Sequence, residues 1–133
     1  MRSEIFTHAF VIEAADIDEL GHVNNIVYLR WAQSLATAHW RARAPAEMVE
    51  RYVWVVVRHE VDYHAPLLLG DVAEGRTWVA EAPHGAVWPR FVAIAKPGAR
   101  KPAVEIKSDW CLLDVATRRL KRVPAEMLRL FLV

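Results

Sequence analysis

The chain predicts an α+β domain in which one long helix is buried by an antiparallel sheet. Three observations carry this. Residues 24–43 hold one long helical pattern. Strand-like runs lie on both sides of it, one before and four after. The connections between the later runs are short, which makes neighbouring strands antiparallel.

The first strand signal is residues 5–13, rich in Phe, Val and Ile. Residues 15–21 have no regular period, and Asp16, Asp18 and Gly21 supply turn chemistry. Asn24 or Asn25 can cap the helix that follows by accepting from its first free N–H groups. In that helix Arg30, Gln33, Ser34, Thr37 and Arg41 form one narrow polar stripe. Most other positions are apolar, so enclosure around most of the circumference is expected. Ala32, Ala36, Ala38 and Ala42 are small enough for a sheet to come close, and Pro45 stops the helix. Residues 46–51 read as one more helical turn. Residues 52–65 are a strand, with Arg58, Glu60, Asp62 and His64 alternating against Val57, Val61 and Tyr63. Further strands are expected at 72–82, 87–96 and 104–115. Pro89 predicts a bulge or an edge in the second of these. Pro124 opens a short amphipathic helical tail.

The 133 residues fit one domain, 1–133, large enough for a core without staples. A hydrophobic fraction of 54% leaves apolar surface to spare, which points to a homo-oligomer. A net charge of +1 without like-charge blocks gives no argument for nucleic acid. The single Cys111 rules out an internal disulfide and a Cys-based zinc site, and reads as a small buried hydrophobe. No metal site is expected, since His8, His39, His59, His64 and His84 show no ligand spacing with Asp or Glu. His59 falls on the strand face opposite Glu60, Asp62 and His64, which read as solvated. No apolar run is long enough to span a bilayer, and the first residues lack a leader's apolar stretch. A cytoplasmic protein without membrane contact is expected.

Chemistry is expected where the turn meets the helix. Gly21 permits a tight turn, and the helix start directs free N–H groups and its positive dipole end at Asp18, His22, Asn24 and Asn25. A carboxylate there can serve as base or nucleophile, and the N–H groups can stabilise an oxyanion. The plain alternative is an Asx turn plus an N-cap, with His22 merely satisfying the turn. There is no Gly-x-Ser-x-Gly elbow and no phosphate-binding Gly-rich loop.

The run Asp18-Glu-Leu-Gly21-His22-Val-Asn24-Asn25-x-x-Tyr28-Leu-Arg-Trp31 resembles the signature of hotdog-fold acyl thioesterases. The similar groups are the 4-hydroxybenzoyl-CoA thioesterase-like family and the acyl-carrier-protein thioesterases. Val61-Asp62-Tyr63-x-x-Pro66 with Gly70-Asp71, and Arg122-Val-Pro124-Ala-Glu126, match later parts of that pattern in order. The resemblance implies a hotdog domain, with the helix wrapped by about five antiparallel strands, pairing into homodimers or homotetramers with active sites between subunits. It implies hydrolysis of an acyl-CoA or acyl-carrier-protein thioester without a cofactor. Asp18 takes the catalytic carboxylate's place, the N–H near Asn25 polarises the carbonyl, and His22 matches a histidine used in the carrier-protein branch. Many relatives carry a helix Glu near Gln33, whose amide cannot act as nucleophile or base, so either the load falls on Asp18 or the activity is weak or altered. Asp16 lies outside the motif's register and reads as structural. CoA is anionic, so a basic rim of Arg90, Lys96, Arg100 and Lys101 is expected. Trp31, Trp54, Trp78 and Trp88 are candidates to shape the acyl pocket, although large aromatics serve equally as core. The alternatives are an enoyl-thioester hydratase or dehydratase on the same fold, whose Asp-x-Asn-Pro-x-His pattern is missing here, and a non-catalytic acyl-thioester-binding protein.

Overall fold

The computed structural model describes residues 2–133. Strands β1 (Phe6–Val11), β2 (Tyr52–Tyr63), β3 (Val72–Val79), β4 (Val87–Ala95) and β5 (Val104–Asp114) form one sheet in the order β1-β3-β4-β5-β2. Every neighbouring pair is antiparallel. Helix α1 (Asn25–Arg43) packs on the inner face, followed by α2 (Ala46–Arg51), and α3 (Ala125–Phe131) closes one end. This is the hotdog arrangement that the α+β pattern and the motif predict.

The Asn24 side chain accepts from Ile26 N–H at 3.2 Å and starts α1. Val27, Tyr28, Trp31, Ala32, Leu35, Ala36, His39 and Trp40 form its buried stripe. The expected enclosure is not found in the single chain. Gln33, Ser34, Thr37, Ala38 and Arg41 face outward, because one sheet layer covers one side of a helix. Close approach comes from Ala32 and Ala36 on the helix and from Gly75 on β3. A Cβ on Gly75 would lie 2.7 Å from Leu35 Cδ1. Ala38 and Ala42 are exposed and take no part.

The β2–β5 register shifts between Val56 and Arg58, so Val57 is a bulge residue. Tyr52, Trp54 and Val56 turn inward before it, and His59 and Val61 after it. Val57 itself is exposed, which breaks the simple alternation expected for this strand. The irregularity expected at Pro89 also lies elsewhere. Strand β4 is central and Pro89 is buried within it, paired with Asp109. Its carbonyl accepts from Ala80 N–H at 2.8 Å. Proline has no N–H to return that bond. The Trp88 indole N–H donates to the Ala80 carbonyl instead, at 2.8 Å.

The core has two apolar halves. One gathers Val27, Tyr28, Trp31, Leu35, Ile94 and Ile106, near the start of α1. The other gathers Trp40, Trp88, Leu112, Met127 and Phe131. Polar side chains lie on the inner sheet face amid this core. Arg90 and Ser108 are paired across β4 and β5, and Ser108 and His59 across β5 and β2. His59 Nδ1 lies 2.6 Å from Ser108 Oγ, and Arg90 Nη1 lies 3.0 Å from Thr77 Oγ1 and 2.9 Å from His39 Nδ1. No helix among the described residues is long and apolar enough to cross a membrane.

Candidate active site

The turn before α1 is tied at several points. Ile17 and Val23 form an antiparallel bridge, and Val23 N–H donates to Leu67 O at 2.8 Å. Asn24 N–H donates to Asp16 O at 2.8 Å. The Asp16 carboxylate accepts from Glu13 N–H at 2.9 Å and pairs with Arg30 Nη2 at 2.6 Å. Burial raises the Asp16 pKa, but the Glu13 N–H and Arg30 outweigh it and hold the acid below its ordinary value. These bonds anchor the turn to the first turns of the helix through Asp16.

Asp18 is the other acid. Its Oδ1 accepts from Leu20 N–H at 2.9 Å and His22 N–H at 3.2 Å. Its Oδ2 has no protein partner. Asp18 N–H donates to His22 O at 2.8 Å, closing a loop with Gly21 at φ +79°. A side chain at that φ is strained, so Gly21 is required by its backbone.

Asp18, His22, Asn24, Asn25, Tyr28 and Tyr63 line one groove of about 360 Å³. Asn24 caps the second N–H of the helix with its side chain and the third with its carbonyl, while Asn25 N–H finds no partner among the described residues. The Tyr63 hydroxyl donates to Asn25 O at 3.2 Å, and the Tyr28 hydroxyl accepts from Leu67 N–H at 3.3 Å. Burial pushes both phenols up, so both remain protonated donors. The groove thus combines a carboxylate oxygen, an unpaired N–H at a helix start, and the His22 side chain. Such a set can polarise a carbonyl and deliver or activate a nucleophile beside it.

The other expected residues are dispersed. Arg90 is not on a rim. It is 7% exposed, on the inner face of β4, with its Nη1 bonded to His39 and Thr77. The alternation of β4 turns it inward between Trp88 and Val92. Burial lowers its pKa to about 10, which leaves it charged near neutral pH. Lys96 is half exposed at the end of β4 and lies 3.5 Å from Asp71; Arg100 and Lys101 are exposed beyond it. Gln33 is exposed on the outer side of α1, away from the groove. Trp54 and Trp88 border a second cavity rather than this groove, and Trp31 is core.

Sequence reasoning missed the buried chain Glu4–His39–Arg90. His39 Nε2 lies 2.8 Å from Glu4 Oε1, which Arg43 Nε also meets at 2.7 Å. Burial, then the Arg90 charge, lowers His39 to about 4, so its imidazole is neutral, accepting at Nδ1 and donating at Nε2. The signal was present: His39 continues the apolar stripe four residues after Leu35.

Comparison with known proteins agrees with this fold. A family model described as the thioesterase-like superfamily matches residues 12–131. The chloroplastic acyl-acyl-carrier-protein hydrolase of Cuphea viscosissima is 25% identical over 118 residues, 88% of this chain and 28% of its own length. The chain therefore spans under a third of that relative. A predicted thioesterase from Bacillus stearothermophilus superposes with a TM-score of 0.83 at 20% identity, covering 98% of both chains. A thioesterase from Thermus thermophilus solved with coenzyme A and zinc gives 0.80 at 22% identity, covering 94% of this chain and 90% of that one. These two likenesses show the fold, and the family match over most of the chain shows the descent: the protein belongs to the thioesterase-like superfamily.

Proposed function

We infer that the protein hydrolyses an acyl thioester, with CoA as the thiol carrier. One observation carries the reading: Asp18, with a free carboxylate oxygen, and the unpaired Asn25 N–H line the same groove at the start of α1. Family membership supports thioester hydrolysis as the general chemistry. The coenzyme A bound in the Thermus thermophilus structure favours CoA over a carrier protein.

The thioester carbonyl oxygen accepts from Asn25 N–H. Asp18 Oδ2 either attacks the carbonyl carbon or takes a proton from a water that does so. The tetrahedral oxyanion is held by the same N–H near the positive helix end. The C–S bond then breaks and the thiolate takes a proton, for which the His22 imidazole is the nearby donor. In the nucleophilic route water afterwards opens the Asp18 anhydride. Lys96, Arg100 and Lys101 are the exposed cations available to CoA phosphates.

The site is completed by a second copy. Strand β2 is a twelve-residue edge with no neighbour beyond it, and its Tyr63 borders the groove. Antiparallel pairing of two β2 strands extends the sheet across a two-fold axis. The test is thiol release from a panel of acyl-CoAs by wild type and Asp18→Asn. Hydrolysis by the first and not the second is expected; equal rates remove Asp18 from the reaction.

A further inference from the structure

We propose that the second cavity is a recognition site for a flat apolar group ending in a carboxylate, with Arg90 meeting the carboxylate; as the far end of an acyl substrate, this rests on the reading above.

The cavity measures about 240 Å³. Its walls are mostly aromatic, from Trp40, Trp54, Trp88, Trp110, Tyr52 and Phe131. Arg90 is the buried one of the two arginines that line it. Both protein hydrogen bonds of Arg90 leave from Nη1. Every fully enclosed polar side-chain atom among the described residues has a partner, so the unpartnered Nε and Nη2 each keep a little accessible surface, on a residue that lines the cavity. Among the described residues no carboxylate lies within ion-pair distance of Arg90, and none lines the cavity. The nearest acid along its bonds is Glu4, reached through neutral His39 and shared with Arg43. Arg41 adds a second positive charge at the wall.

A buried cation without a counter-charge is costly, and a ligand anion relieves that cost. The unpartnered pair Nε and Nη2 is the guanidinium edge that donates two parallel hydrogen bonds to a carboxylate. The aromatic walls favour a flat body. A cavity of about 150 Å³ can hold benzene, so this one has room for one or two fused rings.

The cavity and the Asp18 groove share no lining residue. Along α1 they are separated by the span from Asn25 to the residues 36–41, about 16–24 Å at 1.5 Å per residue. A short acyl group cannot bridge them within one chain. Strand β2 supplies Tyr52 and Trp54 to the cavity and Tyr63 to the groove. Two copies joined antiparallel along β2 set the cavity of one beside the groove of the other.

The test has a binding arm and a kinetic arm. Calorimetry at pH 7 compares 2-naphthoate with its neutral methyl ester on the intact protein. Naphthoate is expected to bind at least tenfold more tightly, and Arg90→Met to abolish the difference. Thr37→Trp, which fills the wall from an exposed helix position, is expected to block both ligands while the protein stays folded. Equal affinity of acid and ester for wild type overturns the proposal whatever Arg90→Met does to folding, as does binding that Thr37→Trp leaves intact. The kinetic arm compares CoA thioesters whose acyl group ends in a free carboxylate or its methyl ester, with the acid favoured in kcat/KM. Naphthoate binding without any thioester hydrolysis would refute the hydrolase reading and the acyl role, leaving a free-acid site. Hydrolysis without acid preference in either arm would refute the cavity's role alone.

Discussion

Asp16 and Asp18 stand two residues apart and face different surroundings. Asp16 turns into the protein onto Arg30 and the Glu13 N–H, while Asp18 turns one oxygen onto its own turn and leaves the other in the groove. Their amide variants should separate cleanly. Asp18→Asn keeps the backbone bonds to Oδ1 and loses the carboxylate charge to which the proposed hydrolysis assigns the reaction. Thiol release should fall by about 10²-fold or more with little change in melting temperature. Asp16→Asn should instead destabilise the fold by about 1–3 kcal/mol, since it weakens a buried charged hydrogen bond. Urea unfolding and a thiol-release assay on both variants check this; the reverse pattern would exchange the two roles.

The histidine beside the groove offers a milder test. Its backbone closes the turn, but its side chain has no protein hydrogen bond. His22→Ala should leave urea stability within about 0.5 kcal/mol. The rate should fall by about 10–100-fold if the imidazole protonates the leaving thiolate. An unchanged kcat would confine His22 to the turn.

Gly75 is where the sheet meets α1. Gly75→Ala puts a Cβ 2.7 Å from the Leu35 methyl and 3.1 Å from Phe10, so these packed side chains must give way. A loss of about 1–3 kcal/mol in urea unfolding is expected. Leu35→Ala in the same background should recover part of that loss, a coupling that a double-mutant cycle measures.

The buried chain Glu4–His39–Arg90 makes stability depend on pH. The folded pKa of His39 is about 4 against an ordinary 6.5, so between those values the unfolded chain binds the extra proton. Its contribution is complete above about pH 6.5 and is lost as pH falls toward 4. Glu4 is held low chiefly by Arg43, against the opposing effect of burial, with His39 assisting. Its contribution is likewise present above the ordinary carboxylate value and lost in acid. The urea midpoint should fall steadily from pH 6.5 to 4, and His39→Gln should flatten the upper part of that decline.

The unpaired β2 edge sets an expectation for mass. Sedimentation or light scattering should give at least twice the 15.2 kDa chain mass. A fully active monomer would contradict a site shared between copies.

Residue types and their spacing were enough to place the long helix with its Asn cap, the five strands, and the turn at Asp18–Gly21–His22. These are local matters, governed by period, capping and backbone freedom. The motif assigned Asp18 and Asp16 different roles, and in the structure the two carboxylates have different partners. Which side chains meet across the sheet was not legible. A single bulge at Val57 reverses the inward face of β2, and no residue type announces it. Arg90 read as a surface cation because arginine usually is one. Its true place follows from the pairing of β4 between β3 and β5, which turns it inward onto a helix histidine 51 positions away. The chain's local pattern thus determined the helix start and the turn that carries Asp18. Only the packing of distant strands against α1 decided that the helix is half covered and that a charged side chain lies among tryptophans.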